Sequence, residues 1–410
     1  MSNAQKKNVP ELRFPGFEGE WEEKKLGDLT DRVIRKNKNL ESKKPLTISG
    51  QLGLIDQTEY FSKSVSSKNL ENYTLIKNGE FAYNKSYSNG YPLGAIKRLT
   101  RYDSGVLSSL YICFSIKSEM SKDFMEAYFD STHWYREVSG IAVEGARNHG
   151  LLNVSVNDFF TILIKYPSLE EQQKIGKFFS KLDRQIELEE QKLELLQQQK
   201  KCYMQKIFSQ ELRFKDENGE DYPEWEEKQL GEVAEIIGGG TPSTKNKLYW
   251  NGEINWFSPI EIGNKTYVYS SQKKITEEGL RKSSAKILPV GTILFTSRAG
   301  IGKTAILAKE STTNQGFQSI VPRKGVLDSY YVYTISNILK ILAEKVGAGS
   351  TFSEISKKQM EQLNLNIPMI KEQKNISKFF SKFDNLIEIQ ERKLKLLKQQ
   401  KQGLLQKMFI

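Results

Sequence analysis

Histidine and cysteine are scarce in this sequence, with two residues of each. His133 and His149 are the only histidines, which argues against a multi-histidine metal site or a Ser-His-Asp triad. Cys113 and Cys202 are isolated, so neither a disulfide framework nor a zinc spacing is present. No stretch reaches the roughly 18 uninterrupted apolar residues of a membrane span. The first residues, MSNAQKKNVPELRF, place no apolar core behind their lysines, so they do not form a secretory signal. Together these absences predict a soluble, cytoplasmic protein without a membrane partner.

The 410 residues are 38% hydrophobic and 27% charged, enough apolar surface for folded cores, and the length predicts two to four folded units. An internal repeat organises them. Residues 167–208 (PSLEEQQKIGKFFSKLDRQIELEEQKLELLQQQKKCYMQKIF) align without gaps on residues 368–409 (PMIKEQKNISKFFSKFDNLIEIQERKLKLLKQQKQGLLQKMF) at an offset of 201, with about half the positions identical. A second match, ELRFPGFEGEWEEKKLG (11–27) with ELRFKDENGEDYPEWEEKQLG (211–231), opens each copy. Between these, GEFAYNKS (79–86), GAIKR (94–98) and LSSLYICF (107–114) follow the same order as GTILFTSR (291–298), GKTAI (302–306) and NQGFQSIVP (314–322). β-Rich runs punctuated by Gly, Asn and Ser read as strands joined by turns. Helices are expected after Asp123 and after Asp328.

Each repeated helical segment has its own apolar seam. In the first copy it runs Ile175, Phe179, Leu182, Ile186, Leu193, Leu196, Tyr203 and Ile207, interrupted at Glu189 and Lys200. In the second it runs Ile376, Phe380, Phe383, Ile387, Leu394, Leu397, Leu404 and Met408, interrupted at Gln390 and Lys401. Alternating spacings of four and three predict long coiled-coil helices of about 55–60 Å. Identical register in the two copies favours antiparallel pairing within one chain, as a spacer between two β domains; a dimerisation coiled coil is the competing arrangement. The expected fold class is α+β: two mainly β domains with helices (1–166 and 209–367), separated by a pair of long helices (167–208 and 368–410), with an internal pseudo-two-fold repeat.

Charge is unevenly distributed. The net +11 resolves into −2 for residues 1–31, +5 for 32–166, +1 for 167–208, −7 for 209–235, +8 for 236–370 and +6 for 371–410. The two bodies and the last helix are basic, and both repeat entrances are acidic. That pattern fits two separate contacts with a nucleic acid.

The phrases GGGTPSTKNKLYWNGEINWFSP (238–259), SSAKILPVGTILFTSRAGIGKTAI (283–306) and TNQGFQSIVP (313–322) resemble a target recognition domain of the specificity subunit of Type I restriction–modification enzymes. The helices that open with Glu-Gln and run through KFFSK resemble that family's spacer regions, and YNKSYSNGYPLGAIKR (83–98) and GARNHGLLNVSVNDF (145–159) are looser signatures in the first body. The resemblance implies that each recognition domain reads one half of a split double-stranded DNA target. The helices would set the unread gap and dock two methyltransferase subunits. Those partners would bind S-adenosylmethionine and methylate adenine, and two ATP- and Mg-dependent endonuclease/translocase subunits would complete the enzyme. This chain would bind no cofactor or metal and would be non-catalytic. A coiled-coil repressor or architectural DNA-binding protein is the alternative reading.

Base reading needs side chains that pair two-pronged with base edges, Arg or Lys for guanine and Asn or Gln for adenine, on turns that reach the groove. In the second body the candidates are Ser243, Thr244, Lys245 and Lys247 in a basic loop; Ser297, Arg298 and Lys303 in a Gly-rich turn; Gln315; and Ser350 with Thr351. In the first body they are Lys85, Ser86, Tyr87, Asn89 and Tyr91, and the cluster Arg147, Asn148 and His149. SRAGIGKT (297–304) nearly spells a phosphate-cradling loop, but its first position is Ser297 rather than glycine. Neither an adenine-methyltransferase motif nor a nuclease carboxylate cluster is evident.

Overall fold

The computed structural model describes residues 8–50, 52–61, 69–87, 90–142, 152–298, 300–347 and 354–410. The fold is α+β, dominated by two long helices, Leu169–Phe208 and Ile370–Met408. Two compact units emerge: Met1–Lys192 with Gln390–Ile410, and Leu193–Ile389. The division cuts through both helices, so each unit is one body together with parts of both, rather than a body with the helix that follows it. Among the described residues no helix is long and apolar enough to cross a membrane.

In the first unit a four-stranded antiparallel sheet runs Thr30–Arg32, Tyr111–Ile116, Phe81–Asn84, Ala95–Arg98. Its apolar face packs on the helix Lys122–Asp130, through Phe81 stacked on Phe114 at 5.6 Å and edge-on to Phe129 at 6.0 Å. Tyr83 stacks on Phe159 at 4.7 Å. Aromatic pairs of this kind add roughly 0.5–1.5 kcal/mol each beyond the area they bury. A separate hairpin, Leu46–Ser49 with Gly53–Asp56, lies against a smaller core of Val33, Ile76 and Leu107.

The second unit carries a five-stranded sheet in the order Ala234–Gly238, Gln318–Pro322, Ile293–Phe295, Thr304–Leu307, Tyr267–Val268; only the last pairing is parallel. A three-stranded sheet, Lys273–Ile275, Trp250–Phe257, Thr312–Thr313, adjoins it. The helices expected after Asp123 and Asp328 are present as Lys122–Asp130 and Ser329–Thr334, capped by Ser121 and Asp328.

The repeat is structural as well as textual. Glu22–Lys25 pairs with Leu163–Tyr166, and Glu226–Gln229 pairs with Asn364–Ile367. Each strand leads into one short turn of helix, and Leu26 N donates to Ile162 O at 2.8 Å as Leu230 N does to Leu363 O at 2.9 Å. The shared Glu-Gln at the start of both helices explains itself here. Gln172 accepts from Ser121 N at 2.9 Å, and Gln373 accepts from Asp328 N at 2.8 Å, so each glutamine joins its long helix to the first turn of a body helix.

In the first unit the helix segments run antiparallel: Phe179 meets Phe409 at 5.8 Å, Asp183 pairs with Lys401 at 2.6 Å, and Glu189 lies beside Gln390. In the second unit Lys200 pairs with Asp384 at 2.5 Å, and Phe208 stacks on Phe380 at 6.3 Å. The four polar interruptions of the seam are therefore matched across it, Gln390 Nε2 donating to Glu189 Oε2 at 2.6 Å and to its carbonyl at 2.9 Å. The seam widens near the helix ends. Leu405 is fully buried beside the half-buried Leu404, and Met204 is half-buried beside Tyr203, whose ring is partly exposed and meets Phe383 at 5.7 Å. There each helix also packs on a body core, and that broader contact takes one more face than a two-helix seam requires.

Candidate nucleic-acid interface

In the second unit, turns from distant parts of the chain meet at one end of the sheet's strands. The strand Ile293–Phe295 ends in Thr296, whose hydroxyl donates to Gly300 O at 2.7 Å and accepts from Lys303 N at 2.9 Å. Gly300 and Gly302 have φ of +106° and +92°, a backbone that glycine adopts without strain. The turn then enters the strand Thr304–Leu307 rather than a helix, so the near match to a phosphate-cradling loop lacks the helix N-terminus such a loop requires.

Ser297 ties three segments together through its backbone. Its N–H donates to Gly316 O at 2.8 Å and its carbonyl accepts from Ile355 N at 3.0 Å. The side chain is wholly buried, so this residue builds the turn and does not present its hydroxyl to solvent. Arg298, next in sequence, is half-buried and its backbone bridges Glu354. Lys303 is exposed and lies along Gly263. Gln315 is exposed and accepts from the Thr241 hydroxyl, which connects its turn to the basic loop. In that loop Ser243, Thr244, Lys245 and Lys247 are all exposed. Among the described residues no carboxylate pairs with Lys245, Lys247, Arg298 or Lys303. Four cations that pair with no carboxylate among the described residues, on turns linked by hydrogen bonds, form a surface suited to phosphates and base edges.

In the first unit the geometry is parallel at its centre. Lys85 occupies the place of Ser297, its carbonyl accepting from Leu152 N at 2.9 Å. Its ammonium turns back to Val154 O at 3.3 Å, toward its own body. Ser86 is half-buried and its N–H donates to Asn84 Oδ1 at 3.1 Å, while Tyr87 is 62% exposed. The Tyr91 hydroxyl donates to Gly50 O at 2.7 Å at the tip of the hairpin, and a Cβ on Gly50 would fall 2.0 Å from the ring. The hairpin thus braces Tyr91. Asn89, Arg147, Asn148, His149, Ser350 and Thr351 lie outside the described residues.

Composition gave no hint of Thr296 or Gly50, because their roles depend on which turn meets which. Elsewhere in the first unit Lys44 and Arg101 flank the Tyr102 ring at 4.3 and 5.9 Å, and each is paired with a carboxylate, Asp56 at 3.5 Å and Glu59 at 3.3 Å. Among the described residues no cluster of His, Cys, Asp and Glu is arranged to hold a metal ion.

Comparison with known proteins gives a consistent result. The family model for the Type I restriction modification DNA specificity domain matches twice, over residues 18–198 and 222–399. The MjaIX Type I restriction enzyme specificity subunit of Methanocaldococcus jannaschii is 38% identical over 198 residues, covering 46% of this chain and 45% of that protein. A Type I restriction enzyme specificity subunit of Escherichia coli is 36% identical over 170 residues, covering 40% and 41%. The matched stretches thus span less than half the length of these two relatives. Among solved structures, the Type I restriction–modification S subunit from M. genitalium superposes with a TM-score of 0.61 at 15% identity, over 98% of this chain and 99% of that one. A chain from a Type I restriction–modification system, described for its complex assembly and conformational transition, gives 0.56 at 20% identity, over 97% and 98%. At such identities the structural likeness speaks for the fold alone.

Proposed function

The chain belongs to the family of Type I restriction modification DNA specificity domains, and from that membership we propose that it is the sequence-reading subunit of such an enzyme. One observation carries the reading: the family model matches twice, once in each copy of the internal repeat. Each body reads one half of a split target. The paired helices set the unread gap and dock two methyltransferase subunits. Those partners bind S-adenosylmethionine and transfer the methyl group to adenine, and two ATP- and Mg-using restriction subunits complete the assembly. This chain contributes recognition and no catalytic group.

The loop cluster supports a DNA contact by its chemistry. Arg298 and Lys303 suit guanine edges or phosphates, Gln315 suits adenine, and Ser243, Thr244, Lys245 and Lys247 suit the backbone. In the first unit Tyr87 and Ser86 occupy the corresponding place. A comparison of genomic methylation with and without this gene tests the proposal. Loss of a single two-part adenine-methylated motif is expected. An unchanged methylome, in cells whose partner subunits work, overturns it. Copurification with two methyltransferase copies distinguishes this role from that of a repressor.

A further inference from the structure

The basic loop of the second unit leaves the strand Ala234–Gly238 and returns through the turn Lys247–Tyr249. Its Pro242 is buried, and two tryptophans tie down its backbone. Trp256 is 7% exposed, and its indole N–H donates to Gly240 O at 2.8 Å. Trp250 donates in the same way to Ser243 O at 3.2 Å. The two rings meet edge to face at 5.1 Å, with an interplanar angle of 89°. Trp256 is seated in a small cluster with Ile275 and Ala285, so the pair stands on the three-stranded sheet.

The loop is pressed onto this support. A Cβ on Gly240 would lie 2.3 Å from Ser284 Oγ and 2.4 Å from Ala285 N. Gly240 N donates to Thr313 O at 2.9 Å. Beyond Ser243 the backbone turns tightly, with Asn246 N donating to Ser243 O at 3.2 Å and the Asn246 side chain accepting from Leu248 N at 3.0 Å. The carbonyl that receives the Trp250 indole is thus the same one that closes the turn carrying Lys245.

Carbonyls on an exposed loop ordinarily bond to water and leave the path of the chain free. Fixing each residue of such a loop costs roughly 1–2 kcal/mol of conformational freedom. A loop already fixed in the free protein does not meet that cost on binding. We propose that Trp250 and Trp256 are positioning residues for DNA recognition. Their indole N–H groups set the course of residues 240–247, so that Lys245 and Lys247 meet the duplex without further ordering. The inference rests on the reading of this loop as a DNA contact.

The test uses the full chain with its copurified methyltransferase subunits and a duplex bearing the motif found in the methylome. Affinity is measured against salt concentration for the native protein, Trp250→Phe, and the double variant Lys245→Ala with Lys247→Ala. Phenylalanine keeps an aromatic face over which Lys273 can lie, as it does now at 5.9 Å, and removes the N–H donor together with the second ring of the indole. The lysine variant should lose affinity, and its salt slope should fall by about 2. Trp250→Phe should weaken binding roughly three- to tenfold, the worth of one hydrogen bond, and should also lower the slope. Its melting temperature should fall only slightly, as the loss of one loop hydrogen bond allows, and its discrimination against a scrambled half-site read by the first unit should be unchanged. If the lysine variant loses affinity and Trp250→Phe keeps both affinity and slope, the positioning role is rejected and the DNA contact stands. If Trp250→Phe lowers the melting temperature and leaves the slope untouched, the tryptophan is structural only and the proposal fails. If the lysine variant binds normally, the loop is not a DNA contact, and the inference falls with it.

Discussion

Arg13 grips Glu171 with two prongs across 158 residues of chain, Nε to Oε1 at 2.8 Å and Nη2 to Oε2 at 2.7 Å. Arg213 and Glu372 repeat the grip in the second unit at 3.3 and 2.9 Å. The carboxylates are 1% exposed in each case. Trp225 adds a third donor to Glu372 at 3.1 Å, while its counterpart Trp21 turns its ring against Phe124 at 5.9 Å instead. Arg13→Ala leaves a buried carboxylate without its cation and should destabilise the protein by about 3 kcal/mol. Arg13→Lys should recover only part of this, since an ammonium cannot supply the fork. Urea denaturation of the three proteins checks the order.

Gly176 breaks an otherwise glycine-free stretch of the first long helix because the body lies against it. A Cβ there would stand 2.6 Å from Phe124 N and 2.7 Å from Asp123 Cβ. The matching residue, Ser377, has room and donates its hydroxyl to Asp328 Oδ1 at 2.5 Å. Gly176→Ser, which simply imports the second copy's residue, should therefore cost about 1–3 kcal/mol by overpacking. Ser377→Gly should cost about 0.5 kcal/mol through helix propensity, plus the lost hydrogen bond. A melting curve in which Gly176→Ser matches the native protein would show that the contact relaxes freely.

Acid should weaken the first unit in a defined window. Burial pushes the Asp130 carboxyl up, but Lys97 at 2.6 Å and Lys401 at 2.7 Å overcome it and hold the group at about 2, below its ordinary 3.8. A carboxylate depressed on folding stabilises the protein above its unfolded pKa, and this contribution disappears as pH falls toward the folded value. Stability worth on the order of 2 kcal/mol should thus drain away between about pH 4 and pH 2. Asp130→Asn should be less stable at pH 7 and show a flatter slope across the same window. Denaturation midpoints at pH 7, 4 and 2.5 provide the comparison.

Arg298→Ala should lower affinity for the target duplex about tenfold or more, the loss expected when an Arg–base or Arg–phosphate contact is removed. Its melting temperature should be unaltered, because the side chain has no carboxylate partner among the described residues. Equal affinity at physiological salt would remove Arg298 from the interface.

The long helices and the repeat were legible because they are local or self-similar. A 3.5-residue periodicity needs no knowledge of the partner, and an offset of 201 exposes a duplication directly. The bodies were legible only as β-rich. Pairings such as Tyr267–Val268 with Thr304–Leu307 join segments separated by some forty residues, and no local signal records them. Polar interruptions of the seam were visible as exceptions, but their pairing across it was not. Ser297 shows the same limit at the site. A polar residue beside glycines marks a turn, while the direction of its side chain depends on Gly316 and Ile355, which arrive from elsewhere.

The contact between Glu189 and Gln390 bears on partner choice. These residues occupy the same place in their two copies, so each helix meets its own counterpart there. Had duplication left glutamate in both, two carboxylates would face one another at this point of the seam. Two glutamines would lack the charge that Gln390 and Lys393 now share with Glu189. The substitution makes the mixed pair better matched than either helix paired in the same register with a twin from another molecule. One amide thus gives a symmetric duplex of helices a chemical handedness, and marks the two copies as halves of a single chain.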